Sequence, residues 1–151
     1  MMTSMTSMTA LAALLMMAPQ ASGPKGPGPA GTLRSIDKGF DSQVDDARQA
    51  AVRSAAEWET LWRLHAGERA RPPVDFGKEM VVAVFLGSRP TAGFSIEIVG
   101  AREDGAVLII QYRETRPPSG GITAQVLTSP YHIVAVPKTA ASKDVKFEKI
   151  P

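Results

Sequence analysis

The stretch Met80-Val-Val-Ala-Val-Phe-Leu86 is apolar at every position. A strand with one wet face alternates polar and apolar side chains. A run that is apolar on both parities therefore reads as a strand buried on both faces. The segments around it carry the ordinary alternation. Phe94, Ile96 and Ile98 alternate with Ser95 and Glu97, as in a half-buried strand. Asp104-Gly105 is a hairpin signal. It leads into Ala106 to Glu114, where Leu108, Ile110 and Tyr112 share one face. Gln125 to Thr128 and Tyr131 to Val136 read as two short strands broken by Pro130, and Val145 to Lys149 alternates again. Upstream, Leu33 to Gln43 reads as a weak strand with a turn near Lys38-Gly39. Ala47 to Ser54 reads as a weak strand or a loop.

One segment has helical period. Ser54-Ala-Ala-Glu57 matches a capping box, and Trp58, Leu61, Trp62 and His65 follow at i, i+3, i+4 and i+7. Gly67 supplies a stop. Two tryptophans on one stripe bury a large area, so the stripe reads as core that packs on a sheet, in preference to a ligand platform. With a single helix available as a crossover, antiparallel pairing is expected. The predicted fold is α+β: a mainly antiparallel sheet, a sandwich or partial barrel, with one packed amphipathic helix.

The chain of 151 residues suits one domain, and its 44% hydrophobic residues can form a packed core. The 17 basic and 15 acidic residues nearly cancel, which leaves no basic stripe of the kind a nucleic-acid binder shows. Cysteine is absent, which excludes disulfides, thiol nucleophiles, Cys-ligated metals and lipidation through an N-terminal Cys. No asparagine is present, so the chain has no N-glycosylation acceptor.

Residues 1–24 carry no charged side chain, and Ala10 to Met17 is an uninterrupted apolar run, too short to span a bilayer. Ala18-Pro-Gln-Ala-Ser22 supplies small residues for cleavage. Residues 1–22 thus read as a signal peptide or an unstructured leader. Residues 23–32, rich in Pro and Gly, read as a linker, and 33–151 as a single domain with a core at 76–147. The expected location is secreted, periplasmic or in the cell envelope, with no transmembrane segment.

Two loops combine Arg-Pro with small residues: Gly87-Ser-Arg-Pro-Thr-Ala-Gly93 and Thr115-Arg-Pro-Pro-Ser-Gly-Gly121. Proline fixes the backbone, glycine permits close approach, and arginine offers a forked donor to a carboxylate or carbonyl. They read as binding loops or as plain turn chemistry. No catalytic residues are assigned. No Gly-X-Ser-X-Gly elbow, Walker, dinucleotide or His-Glu-X-X-His pattern occurs, and neither His65 nor His132 has a motif partner for a metal. No metal and no cofactor is expected. An enzyme would instead show His132 facing a concave pocket within reach of a serine or carboxylate.

The blocks Val81 to Gly87, Arg89 to Ile98, Tyr112 to Pro118 and Gln125 to Lys138, in this order, resemble the PrcB C-terminal domain family, the protease-complex subunit PrcB-like proteins. The likeness covers roughly Phe76 to Phe147. It implies a non-catalytic exported accessory protein that associates with a protein partner. By analogy with the family's namesake, that partner is a subtilisin-like surface protease, or else another envelope protein. The surface expected to bind comprises Arg89, Pro90, Thr91, Gly93, Phe94, Arg116, Pro117, Gly120, Gly121 and Tyr131. A second likeness is carried by Arg89-Pro-Thr-Ala-Gly-Phe94, which is similar to the Asn-Pro-Thr-Thr-Gly-Tyr loop of chagasin-like protease inhibitors. It implies a wedge of three loops, with Gly120-Gly121 and Ser129-Pro-Tyr131 as the other two. A small hydrolase is the remaining alternative.

Overall fold

The computed structural model describes residues 33–151. The leader and linker expected over residues 1–32 lie outside the described residues. The elements in order are β1 (Arg34–Gly39), β2 (Arg48–Val52), α1 (Ala55–Ala66), β3 (Glu79–Phe85), β4 (Ser95–Asp104), β5 (Val107–Thr115), β6 (Tyr131–Pro137), a short 3-10 turn (Ala140–Lys143) and β7 (Asp144–Ile150). They form two sheets, one ordered β1-β6-β3-β2 and the other β4-β5-β7. The fold is α+β and mainly β, and the sheets do not close into a barrel.

The pattern of β3 explains the layering. Its even residues Met80, Val82 and Val84 join Ile96, Ile98, Leu108 and Ile110 of the second sheet. Its odd residues Val81, Ala83 and Phe85 join Trp58, Leu61 and Trp62 of α1. β3 is thus the middle of three layers, helix over sheet over sheet. Strand β6 repeats the division, with Val134 and Val136 facing the second sheet and Tyr131 and Ile133 facing the helix. Each fully buried Val, Leu, Ile, Phe or Met side chain among them contributes about 1.5–3 kcal/mol.

Helix α1 forms where its capping signals stand. The Ser54 hydroxyl accepts from the Glu57 amide at 3.2 Å. The Glu57 carboxylate accepts from that same hydroxyl at 3.3 Å, where a full capping box would have it reach the Ser54 amide. Trp58, Leu61, Trp62 and His65 are its buried residues, as the period predicts. Both indoles also tie down the chain beyond the helix. Trp58 Nε1 donates to the Pro72 carbonyl at 3.0 Å and Trp62 Nε1 to the Arg69 carbonyl at 2.7 Å.

Three departures from the sequence expectations have local causes. A bulge between Ile98 and Gly100 inserts a residue in β4. The inward parity passes from Ile96 and Ile98 to Ala101, and Val99 turns outward. β7 pairs with β5 in parallel, because the chain leaves the end of β6 through the 3-10 turn and enters the other sheet without a hairpin. Gln125 to Thr128 is not a strand. Thr128 makes a lone bridge to Arg89, Ser129 makes another to Asp41, and Pro130 has no amide with which to extend a ladder.

Candidate functional site

The first Arg-Pro loop meets the connection that follows β5, by hydrogen bonds to residues 124–128 and by a close approach of Gly93 to Pro117 in the second Arg-Pro loop. The Arg89 amide donates to the Thr128 carbonyl at 2.7 Å, and the Thr128 amide returns to Arg89 at 2.9 Å. The Ala92 amide donates to the Ala124 carbonyl at 3.0 Å, and the Thr128 hydroxyl donates to the Thr91 carbonyl at 3.0 Å. Gly93 completes the junction. Its φ is +94°, and a Cβ there would lie 2.7 Å from Pro117 Cβ, so the backbones approach as only glycine allows. The loop before β4 and the long connection after β5 are therefore one surface.

A hollow of about 240 Å³ opens at this surface, lined by Leu86, Arg89, Pro90, Phe94, Glu114 and Arg116. The Arg89 guanidinium carbon sits 5.6 Å from the Phe94 ring centre, a cation–π contact that orients the side chain. Its Nε–H is buried and has no acceptor. Arg116 has no hydrogen-bond or ion-pair partner among the described residues. Every other arginine is engaged. Arg34, Arg48, Arg63, Arg69, Arg71 and Arg102 hold carboxylates, while Arg53 and Arg113 donate to carbonyls. Glu114 is bound by Lys149 at 2.9 Å, which offsets its charge. A second hollow of about 200 Å³ shares Glu114 and runs toward Gln49 and Tyr112.

Of the residues expected to bind, Arg89, Pro90, Phe94 and Arg116 line the hollow, and Gly93 and Pro117 form the contact beside it. Thr91 lies in the junction. Gly120 and Gly121 occupy an exposed turn closed by the Gly121 amide on the Pro118 carbonyl at 3.3 Å. Tyr131 does not belong to the surface. It is 2% exposed, in the core under α1. Ser129 and Pro130 are buried with it, so the third loop of an inhibitor-like wedge is not presented to solvent. Sequence reasoning missed Ile122, Val126 and Leu127. They are exposed on the joined loop, Ile122 fully and Leu127 at 73%. Val126 and Leu127 fall in Gln125 to Thr128, where the sequence pattern predicts a strand that would bury one of them in a sheet.

Both histidines are held by several partners. His132 lies between the sheets, 5% exposed. Its Nδ1 accepts from the Ile98 amide of β4 at 2.9 Å, and its Nε2 lies 2.9 Å from the Ser35 hydroxyl of β1. Burial, helped by the charge of Lys38 and opposed by Glu97 and Asp37, pushes its pKa down to about 4. The ring is neutral. With Nδ1 accepting, the proton sits on Nε2, facing Ser35.

His65 is 1% exposed. Its Nε2–H donates to the Asp37 carboxylate at 3.0 Å, and its Nδ1 accepts from the Ser42 hydroxyl at 2.8 Å. Burial lowers its pKa, against the pull of Asp37. Burial draws Asp37 upward, but hydrogen bonds from His65 and Tyr131, with the Arg69 charge, outweigh it and leave the pKa lowered. Tyr131 is pushed up to about 12 by burial and by its bond to Asp37. The order Ser42–His65–Asp37 has the hydrogen bonds of a hydrolytic relay with the ring nitrogens exchanged. The amides around Ser42, however, are all occupied. Ser42 N–H donates to the Ser129 carbonyl, Gln43 N–H to the His65 carbonyl and Val44 N–H to the Ser42 hydroxyl itself. None is left for an oxyanion. Among the described residues, no group of three His, Asp or Glu side chains assembles as a metal site requires, and no helix is long and apolar enough to cross a membrane.

Fold and site together define a two-sheet β scaffold that displays a stiff, cationic and partly apolar loop surface. Residues 80–137, which run from β3 to the end of β6 and contain both loops, match the family model described as PrcB C-terminal. No curated protein and no solved structure matches the chain. Strands β1, β2 and β7 fall outside the matched residues yet hydrogen-bond into the same two sheets.

Proposed function

We propose that the protein is an exported, non-catalytic accessory subunit that docks on a protein partner in the cell envelope, a secreted or surface protease in the first place. One observation carries the reading. The loop before β4 and the connection after β5 are joined by four hydrogen bonds, and together they carry Arg116 without a partner among the described residues, Arg89 with its Nε–H unmatched, and exposed Ile122, Val126 and Leu127. Isolated surface apolar residues are ordinary, but an apolar group joined to unpaired cations on a rigid scaffold has the composition of an interface. The family match supports association with a protease complex. The proton positions support a role without bond-making. The Nε2 of His132 presents a proton to Ser35 and has no lone pair to act as its base, and Ser42 has no amide to stabilise an oxyanion.

The test is affinity capture by the tagged protein from the envelope fraction of its own cells, with the bound proteins identified by mass spectrometry. Wild type is expected to retain a protease or another envelope protein, and Ile122→Ser/Leu127→Ser to lose it. Undiminished capture by that double variant, or turnover of ester or peptide substrates that His65→Ala or His132→Ala abolishes, would overturn the reading.

A further inference from the structure

We infer that the hollow between Arg89 and Arg116 receives one side-chain carboxylate, an Asp or Glu held between apolar residues in an extended segment of the protein partner. This deepens the docking reading and rests on it.

The donors come first. A guanidinium offers five N–H groups in a fixed plane. In this chain every arginine outside the hollow directs some of them at a carboxylate or a carbonyl, and the two inside do not. Arg89 Nε–H is buried without an acceptor. Folded proteins rarely leave such a donor unmatched, and Arg89 lines the hollow with no carboxylate or carbonyl of the described residues on its guanidinium. The Phe94 ring holds the Arg89 guanidinium at 5.6 Å, and Pro90 stiffens the backbone beside it, so less side-chain freedom remains to be lost on binding.

Charge and shape then select the ligand. Two cations face the hollow together with Glu114, whose carboxylate is held by Lys149. A dianionic phosphate would crowd its second charge against Glu114. A single carboxylate takes the two arginines in the paired geometry they favour. The remaining walls, Leu86, Pro90 and Phe94, are apolar, and Ile122, Val126 and Leu127 lie exposed on the joined loop. Apolar residues flanking the acid meet the Leu86, Pro90 and Phe94 walls. The adjoining hollow that shares Glu114 gives an extended chain a direction in which to continue. Residues 1–32, which lie outside the described residues, contain no Asp or Glu and so do not supply the acid.

The experiment is an NMR titration of the ¹⁵N-labelled protein, reading the Arg89 and Arg116 Nε–H signals. The probe is N-acetyl leucyl-glutamyl-leucine amide. Saturable shifts of both signals are expected, with a weak dissociation constant on the order of millimolar. The glutamine counterpart is expected to bind about tenfold more weakly or worse, because it loses the charge assistance. Arg89→Ala and Arg116→Ala should each weaken the glutamyl peptide by about tenfold, and Arg89→Lys should restore part of the loss. Equal binding of the glutamine peptide overturns the inference. So does tighter binding of inorganic phosphate, which would make this a phosphate site, or tighter binding of N-acetyl leucyl-leucine with a free terminus, which would make it a C-terminus receptor. Absence of any shift, with partner capture still lost in Ile122→Ser/Leu127→Ser, removes the carboxylate and leaves the docking reading in place. Absence of any shift together with undiminished capture by that double variant removes both.

Discussion

His132 makes the stability of this protein depend on pH in a way that can be worked out in advance. Its ring is neutral between the sheets and bonded through Nδ1 to the Ile98 amide. Protonation would put a second N–H against that amide and a charge into the core. The pKa accordingly falls from 6.5 to about 4 on folding, through burial first and the Lys38 charge second. In the unfolded chain the ring titrates normally. As pH falls below 6.5 the unfolded state takes up a proton that the folded state refuses, so stability declines until about pH 4 and no further on this account. At 1.36 kcal/mol per unit the full loss is about 3 kcal/mol, of which about 2–3 kcal/mol has gone by pH 4.5. Urea unfolding at intervals between pH 7.5 and 4.5, extrapolated to water, measures it. The control is His132→Gln. It starts lower at pH 7.5, because the Ile98 amide loses its acceptor at a cost of about 1–3 kcal/mol, but it lacks the titrating ring. The gap between the two curves should therefore close by about 2–3 kcal/mol on acidification, while the slope due to His65 and the carboxylates stays common to both. Parallel curves, or a wild type that gains stability as pH falls, would refute the reasoning.

Three further outcomes test the fold and the loop junction. Trp58→Ala should cost about 3–5 kcal/mol in urea unfolding, because it empties the helix–sheet core and leaves the Pro72 carbonyl without its indole donor. Ser54→Ala should cost about 1 kcal/mol by the same measurement, the usual loss for an N-cap hydroxyl. Gly93→Ala places a methyl group 2.7 Å from Pro117 Cβ at φ +94°, so it should part the loops at a cost of about 1–3 kcal/mol, with faster amide exchange at Ala92 and Thr128.

What the sequence made legible was local. The doubly apolar run of β3, the helix stripe from Trp58 to His65 and the turn at Gly105 are each decided within about one turn or one hairpin, and each stands where its pattern placed it. What stayed hidden depends on distant chain. Asp37, Ser42 and His65 share a hydrogen-bond array across separations of 23 and 28 residues, for which no periodicity exists. The bulge at Val99 leaves the composition unchanged and alters only the parity behind it. The parallel entry of β7 follows from which sheet the 3-10 turn reaches. Arg89 and Arg116 could be singled out by the company of proline and glycine, but not their convergence, because that rests on one glycine giving way to one proline. Tyr131 misled in the opposite sense. An aromatic after Ser-Pro resembles a loop tip, whereas its hydroxyl is needed inward by Asp37.

The histidine between the sheets also bears on the hollow. Leu86 follows directly from β3 of the first sheet, while Glu114 belongs to β5 of the second, and Phe94 leads into β4. The distance between Arg89 and Arg116 is thus set by how the sheets sit on each other, and hydrophobic packing alone resists sliding weakly because it has no direction. The bond from the Ile98 amide to His132 Nδ1 has direction. It fastens β4 to β6 in one register, and Lys38–Glu97 at 3.2 Å closes the same seam from β1. A guanidinium pair recognises a planar anion only when its spacing is held to a fraction of an ångström. A buried neutral histidine, costly to the fold in acid, thus ties the two sheets whose relative position sets the spacing of Arg89 and Arg116.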